Sequence, residues 1–160
     1  TGKSFAKKLS GFNCNIIFCD IKTNLGDNYA REVKINELKE TSDIISLHTN
    51  LNQSSRHIID KQFIDDCKKS FCLINTARGE CISNHDLIYG LENDKIIGAG
   101  LDVLENENKD FEGIAVDQNL DKLKKFDNVI LTPHIAGWSK ESKVKLAQIT
   151  VNKIKEFLAL

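Results

Sequence analysis

The sequence predicts an α/β protein built on a doubly wound parallel sheet. Three observations carry that prediction. Short apolar runs alternate with stretches whose apolar residues recur at helical spacing, the order that a parallel sheet with covering helices requires. The run at 71–77 (FCLINTA) is continuously apolar for most of its length, as a strand inside a parallel sheet is. Finally, Arg78, Glu107 and His134 each follow such a run, and open parallel sheets bind ligands beyond the carboxyl ends of their strands.

Each element can be justified in turn. Residues 2–11 place Phe5, Ala6 and Leu9 at helical spacing. Residues 13–20 (NCNIIFCD) read as a strand ending in Asp20, and 21–33 as polar loop. Residues 35–42 form a short helix with Leu38 inward, and 43–48 (DIISLH) the next strand. An irregular connection over 49–59 leads to a helix over 60–69. Asp60 is its N-cap, and Phe63, Ile64 and Cys67 share one face. After the strand at 71–77 comes a helix over 83–94, capped by Ser83 or Asn84. The strand at 96–103 follows, with glycines that permit close backbone approach. An acidic loop over 105–114 precedes a helix over 116–126, with Leu120, Leu123 and Phe126 in register. The last strand is 128–132. Residues 139–160 form a long amphipathic helix capped by Ser139. Pro133, the only proline, stands just past the last strand, where its missing donor costs the ladder nothing.

A chain of 160 residues suits one domain, and its 41% hydrophobic and 28% charged residues are those of a globular protein. The net charge of −1 provides no field for nucleic acid or an anionic membrane, and the lysines near 122–125 read as a solvated helix face. No apolar stretch is long enough to span a bilayer. The five cysteines lack C-x-x-C spacing, fitting neither a zinc site nor a redox pair, so no metal is expected. Cys14, Cys19 and Cys72 lie in or beside strands and are expected to be buried, and reduced thiols fit a cytoplasmic protein.

A helix opening at Gly2, followed by a strand ending in Asp20, is the second half of a dinucleotide fingerprint. In that fingerprint a carboxylate accepts the ribose hydroxyls. Gly2 takes the place of the third glycine, and the first two, with the strand before them, are not in this sequence. The expectation is therefore a Rossmann-type sheet truncated at its N-terminus, with Thr1 a cut point. In strand order 3-2-1-4-5-6, the gap should separate the strands at 14–19 and 43–48 from those at 71–76, 97–103 and 128–132.

With these residues in view, the chain resembles the NAD-binding domain of the D-isomer-specific 2-hydroxyacid dehydrogenases. The strongest blocks are SDIISLHTNLNQSSRHII (42–59), LINTARGECISNHDLIYGLENDKIIGAGLDVLENE (73–107) and NVILTPHIAGWSKES (128–142). The resemblance covers nearly all of 1–160 and implies NAD as cofactor, a 2-hydroxy or 2-keto acid as substrate, and a homodimer using the segment 83–126. It implies that His134 is the general acid/base. Glu107 would hydrogen-bond the imidazole and favour its charged form, and Arg78 would grip the substrate carboxylate. Asp102 would meet the nicotinamide carboxamide and Asp20 the adenine-side ribose. Gly2, His48, Thr49, Asn50, Thr76, Ala77 and Gly137 would line the cofactor cleft, together with Arg78 and His134. Asn108 and Asn50 stand where the family usually has proline, and Glu105 is a rival for the carboxylate role. Trp138 is read as packing at the start of the last helix. The alternative function is a non-catalytic, corepressor-like module that senses NAD(H). Retention of Arg78, Glu107 and His134 together favours the enzyme.

Overall fold

The computed structural model describes residues 1–105 and 118–159. Helix α1 (Gly2–Leu9) runs into a tight turn at Ser10–Phe12 and then strand β1 (Ile17–Phe18). Strand β2 (Arg31–Glu32), helix α2 (Ile35–Thr41), strand β3 (Ile44–Leu47), helix α3 (Lys61–Asp66) and strand β4 (Phe71–Asn75) follow. A further tight turn, Gly79–Cys81, leads to helix α4 (Asn84–Glu92) and strand β5 (Ile96–Leu101). Helix α5 (Gln118–Leu123), strand β6 (Val129–Leu131) and helix α6 (Lys140–Leu158) complete the order. The expected caps form. The Asp60 carboxylate accepts the Phe63 amide at 2.7 Å, and the Ser139 hydroxyl accepts that of Ser142 at 3.0 Å. The Ser83 hydroxyl receives the Asp86 amide at the longer distance of 3.4 Å.

Strands β3, β4, β5 and β6 form one parallel sheet in that order, and β1 and β2 form a separate parallel pair. Two expectations are corrected here. The strand at 44–47 does not belong with the one at 17–18: Ile44 to Leu47 pair with Cys72 to Asn75. The partner of β1 is β2, inside the stretch expected to be loop. It is held by bonds from Arg31 N to Ile16 O and from Val33 N to Phe18 O. Two residues, both charged, carry no apolar alternation for a reader to see. Among the described residues the sheet is thus interrupted between β1 and β3.

One face of the four-stranded sheet is the core. Ile45, Leu47, Leu73, Ala99 and Leu101 point into it, met by Phe63 and Ile64 of α3, Leu87 and Leu91 of α4, and Leu123 of α5. Ile64, Phe71 and Leu73 are wholly buried, each worth about 1.5–3 kcal/mol of transfer energy. The opposite face stays open: Ile44, Ile97 and Ile130 are 63%, 52% and 69% exposed. The strand at 71–75, expected to be buried, alternates buried and intermediate residues, while each other strand of this sheet carries an exposed one.

Helix α6 forms as expected, but its apolar residues Val144, Leu146, Ile149 and Ile154 are all exposed, and none of its described residues is buried. Trp138 is also exposed, its ring lying under the Lys143 ammonium at 5.2 Å rather than packed into the body. Cys14 and Cys19 are exposed, against expectation, because β1 is only two residues long and they flank it; Cys67 and Cys81 are the buried thiols. No described helix is long and apolar enough to cross a membrane.

Candidate active site

The sheet register builds the site. Asn75 of β4 lies opposite Leu101 of β5, and Leu101 opposite Leu131 of β6, so the three strands end level. Two strand spacings, about 10 Å, separate the first exit from the third. Arg78 follows β4 by three residues, Asp102 follows β5 directly, and His134 follows β6 by three. All three therefore leave one edge of the sheet.

The turn that presents Arg78 is organised by Asn75, a polar residue at the end of an apolar strand. Asn75 is 1% exposed. Its amide nitrogen donates to the Arg78 carbonyl at 2.9 Å, and its amide oxygen accepts the Ala77 N–H at 3.0 Å. The Arg78 guanidinium is exposed and commits one donor to the Ala77 carbonyl, at 2.6 Å. Gly79 is required by space: a Cβ there would stand 1.9 Å from the Leu104 carbonyl oxygen.

Asp102 shapes the loop that carries His134. One carboxylate oxygen accepts the Thr132 hydroxyl at 2.6 Å and the Ile135 amide at 2.9 Å; the other accepts the Ala136 amide at 2.9 Å. Its carbonyl accepts the His134 N–H at 2.9 Å. His134 takes φ 53°, in the left-handed region, which reverses the chain so that the next two amides converge on one carboxylate. Asp102 and Thr76 also line a hollow of about 450 Å³ on the open sheet face, with Ile74, Gly100, Thr132 and Ile135.

The remaining expected residues sit at the same end or at β1. A Cβ on Gly2 would meet His48 at 3.2 Å, so the start of α1 and the end of β3 close up on one another. His48 touches the Phe5 ring and shares a 3.0 Å hydrogen bond with Ser46; burial pushes its imidazole below the usual histidine range. Thr49 lies 3.5 Å from the Cys81 sulfur, and the Asn50 carbonyl accepts the Ser55 hydroxyl. Asp20 is exposed beyond β1 and accepts the Lys22 amide at 2.9 Å. Gly137 has open space around its Cα. Glu107 lies outside the described residues. Its rival, Glu105, is engaged elsewhere: its carboxylate bonds His57 Nε2 at 2.6 Å and accepts the Asn84 amide at 3.0 Å.

A parallel sheet with an imidazole, a guanidinium and a carboxylate just past its strand ends has the arrangement of an α/β protein that binds its ligand there. The chain belongs to the D-isomer specific 2-hydroxyacid dehydrogenases: the model of that family's NAD binding domain matches residues 1–136. A D-specific alpha-keto acid dehydrogenase of Enterococcus faecium is 34% identical over 161 residues, covering 98% of this chain and 49% of the relative. The NAD-complexed D-isomer specific 2-hydroxyacid dehydrogenase of Lactobacillus delbrueckii ssp. bulgaricus superposes with TM-score 0.87 at 29% identity, over 99% of this chain and 50% of that one. The D-lactate dehydrogenase of Aquifex aeolicus, complexed with NAD and lactic acid, gives TM-score 0.80 at 33% identity, over 99% and 50%. The chain thus spans about half the length of these relatives.

The cofactor of this family's domain is NAD, and the residues present fit it. Gly2 packs closely on His48, as a third fingerprint glycine would, and Asp20 offers an exposed carboxylate just past β1.

Proposed function

We propose that the whole protein is an NAD-dependent oxidoreductase interconverting a D-2-hydroxy acid and its 2-keto acid, with residues 1–160 forming its NAD-binding domain. The observation that carries this reading is the level exit of Arg78, Asp102 and His134 from three neighbouring parallel strands. The nicotinamide, when bound, supplies a hydride as NADH for carbonyl reduction and takes it back as NAD+ in the reverse direction. The protein supplies the rest. Arg78 holds the substrate carboxylate through its planar fork. His134 gives a proton to the carbonyl oxygen in reduction and takes it back in oxidation. Glu107 hydrogen-bonds that imidazole and favours its charged form. Asp102 fixes the loop and faces the nicotinamide end, while Asp20 takes the adenine-side ribose and disfavours a 2′-phosphate.

The whole protein is a homodimer through its nucleotide-binding domains, with 83–126 as the contact segment. It resides in the cytoplasm, in keeping with five unpaired cysteines. Residues 1–160 alone, without the pyrophosphate cradle, bind NADH poorly and do not turn over; micromolar binding in a calorimetric titration would contradict this. The direct test of function is NADH oxidation by the full-length protein over a panel of 2-keto acids, pyruvate and phenylpyruvate included. Turnover yielding the D-hydroxy acid, with NADH preferred over NADPH, is expected. NADH binding without turnover of any 2-keto acid would favour the corepressor-like sensor instead.

A further inference from the structure

We infer that His57 and Glu105 form a positioning pair that holds the Arg78 turn against the end of β5. The inference rests on the dehydrogenase reading for its functional meaning and on the following geometry for its substance. Arg78 is held on one side by Asn75, as above. On the other side Gly79 lies flush on the Leu104 carbonyl, and a Cβ there would also stand 2.6 Å from the Glu105 nitrogen. Where the 104–105 backbone sits therefore decides where Gly79, and the guanidinium next to it, can sit.

Two bonds fix that backbone through the Glu105 side chain. One carboxylate oxygen meets His57 Nε2 at 2.6 Å, and the other accepts the Asn84 amide at 3.0 Å, at the first turn of α4, where a negative charge is favoured. His57 is itself tied down. Its backbone amide donates to the Glu80 carbonyl at 2.8 Å, and two residues later Ile59 N donates to Cys81 O at 3.2 Å. His57 adopts φ 50°, a conformation that a non-glycine residue keeps only when its surroundings hold it there. Three segments, 57–59, 79–84 and 104–105, are thereby closed into one knot behind Arg78. The side chains are 38% and 18% exposed, so the pair is partly shielded from competing water. Substrate capture by a guanidinium fork tolerates little misplacement, and a shift of about 1 Å can cost on the order of a hundred-fold.

The test uses the full-length protein with NADH and either pyruvate or phenylpyruvate. His57→Asn keeps a residue tolerant of positive φ and removes the reach to Glu105. Glu105→Ala removes both bonds, and Glu105→Gln can keep both. The first two variants should raise KM for the keto acid about ten-fold or more while kcat and KM for NADH change little, because a displaced clamp weakens capture. Glu105→Gln should recover most of the loss, and the double variant His57→Asn/Glu105→Ala should be no worse than Glu105→Ala. Amide hydrogen exchange of residues 79–84 should rise in His57→Asn and Glu105→Ala at temperatures well below unfolding. An unchanged KM with only a lower unfolding temperature, or unchanged exchange over 79–84, overturns the proposal. A parent that reduces no 2-keto acid overturns the dehydrogenase reading instead, and the exchange measurement then decides the pair by itself.

Discussion

Asp102→Asn changes one atom and should unsettle the loop that carries His134. The carboxylate accepts three hydrogen bonds, from Thr132 Oγ1, Ile135 N and Ala136 N, and Asp102 is 5% exposed. An asparagine can keep its oxygen toward Thr132 and Ile135, but its NH2 then faces the Ala136 N–H, donor against donor. Bonds to a charged acceptor contribute about 1.5–3 kcal/mol each and neutral ones about 1. Neutralising two and losing one then costs roughly 2.5–7 kcal/mol before relaxation. Because Ile135 and Ala136 are exposed and water can reach their amides, we expect about 2–3 kcal/mol to remain. Urea unfolding of the full-length protein measures the loss in its cooperative transition, and kcat should fall as the His134 loop loosens. Thr132→Val, which removes a single bond to the same carboxylate, should cost about 1.5–3 kcal/mol, less as water reaches the freed oxygen. An Asp102→Asn protein within about 0.5 kcal/mol of the parent, the spread of ordinary surface substitutions, would refute the claim that this carboxylate organises the loop.

Gly79→Ala forces a methyl into the Leu104 carbonyl; the backbone must move, and we expect a cost at or above the 1–3 kcal/mol of ordinary overpacking, read from the denaturation midpoint. A fully stable, fully active variant would contradict the contact. For His48, burial lowers the folded-state affinity for a proton below that of the unfolded chain. The unfolded state then binds more protons below its own pKa of about 6.5, so this contribution to stability is complete above that pH and is lost as pH falls further. Unfolding curves between pH 8 and pH 5 should therefore slope less in His48→Asn (both values are choices of buffer, about one and a half units either side of that reference); equal slopes would discount the burial. Glu107→Gln should lower kcat for keto-acid reduction by less than His134→Gln does; an unchanged kcat would remove Glu107 from the relay.

Much of this was legible in the sequence because core strands and capped helices announce themselves. Phe71–Asn75 is apolar and β-prone, Asp60 and Ser139 are strong caps, and Leu87, Leu91 and Leu123 recur at helical spacing and are buried. Arg78, Glu107 and His134 stood out because chemistry-bearing residues just past apolar runs are few; Asp102 entered only through the family resemblance, and Glu107 lies outside the described residues. What could not be read depends on partners distant in sequence. Strand β2 is made by backbone bonds to β1 and has two charged side chains. Asn75 looked like an ordinary polar strand end, yet it ties the Arg78 turn; a polar residue inside the apolar run LINTA was the available signal. The His57–Glu105 pair joins residues 48 apart in sequence, and no spacing rule links them.

The measurement that tests the central claim most directly is steady-state turnover of the full-length His134→Gln protein, with NADH binding measured alongside. Glutamine keeps a polar side chain and removes the group that exchanges protons near neutral pH. General acid/base catalysis is typically worth about a hundred- to ten-thousand-fold. We expect a loss in kcat of at least about a hundred-fold with NADH affinity little changed. Near-parental turnover by His134→Gln would contradict it, whatever the fold.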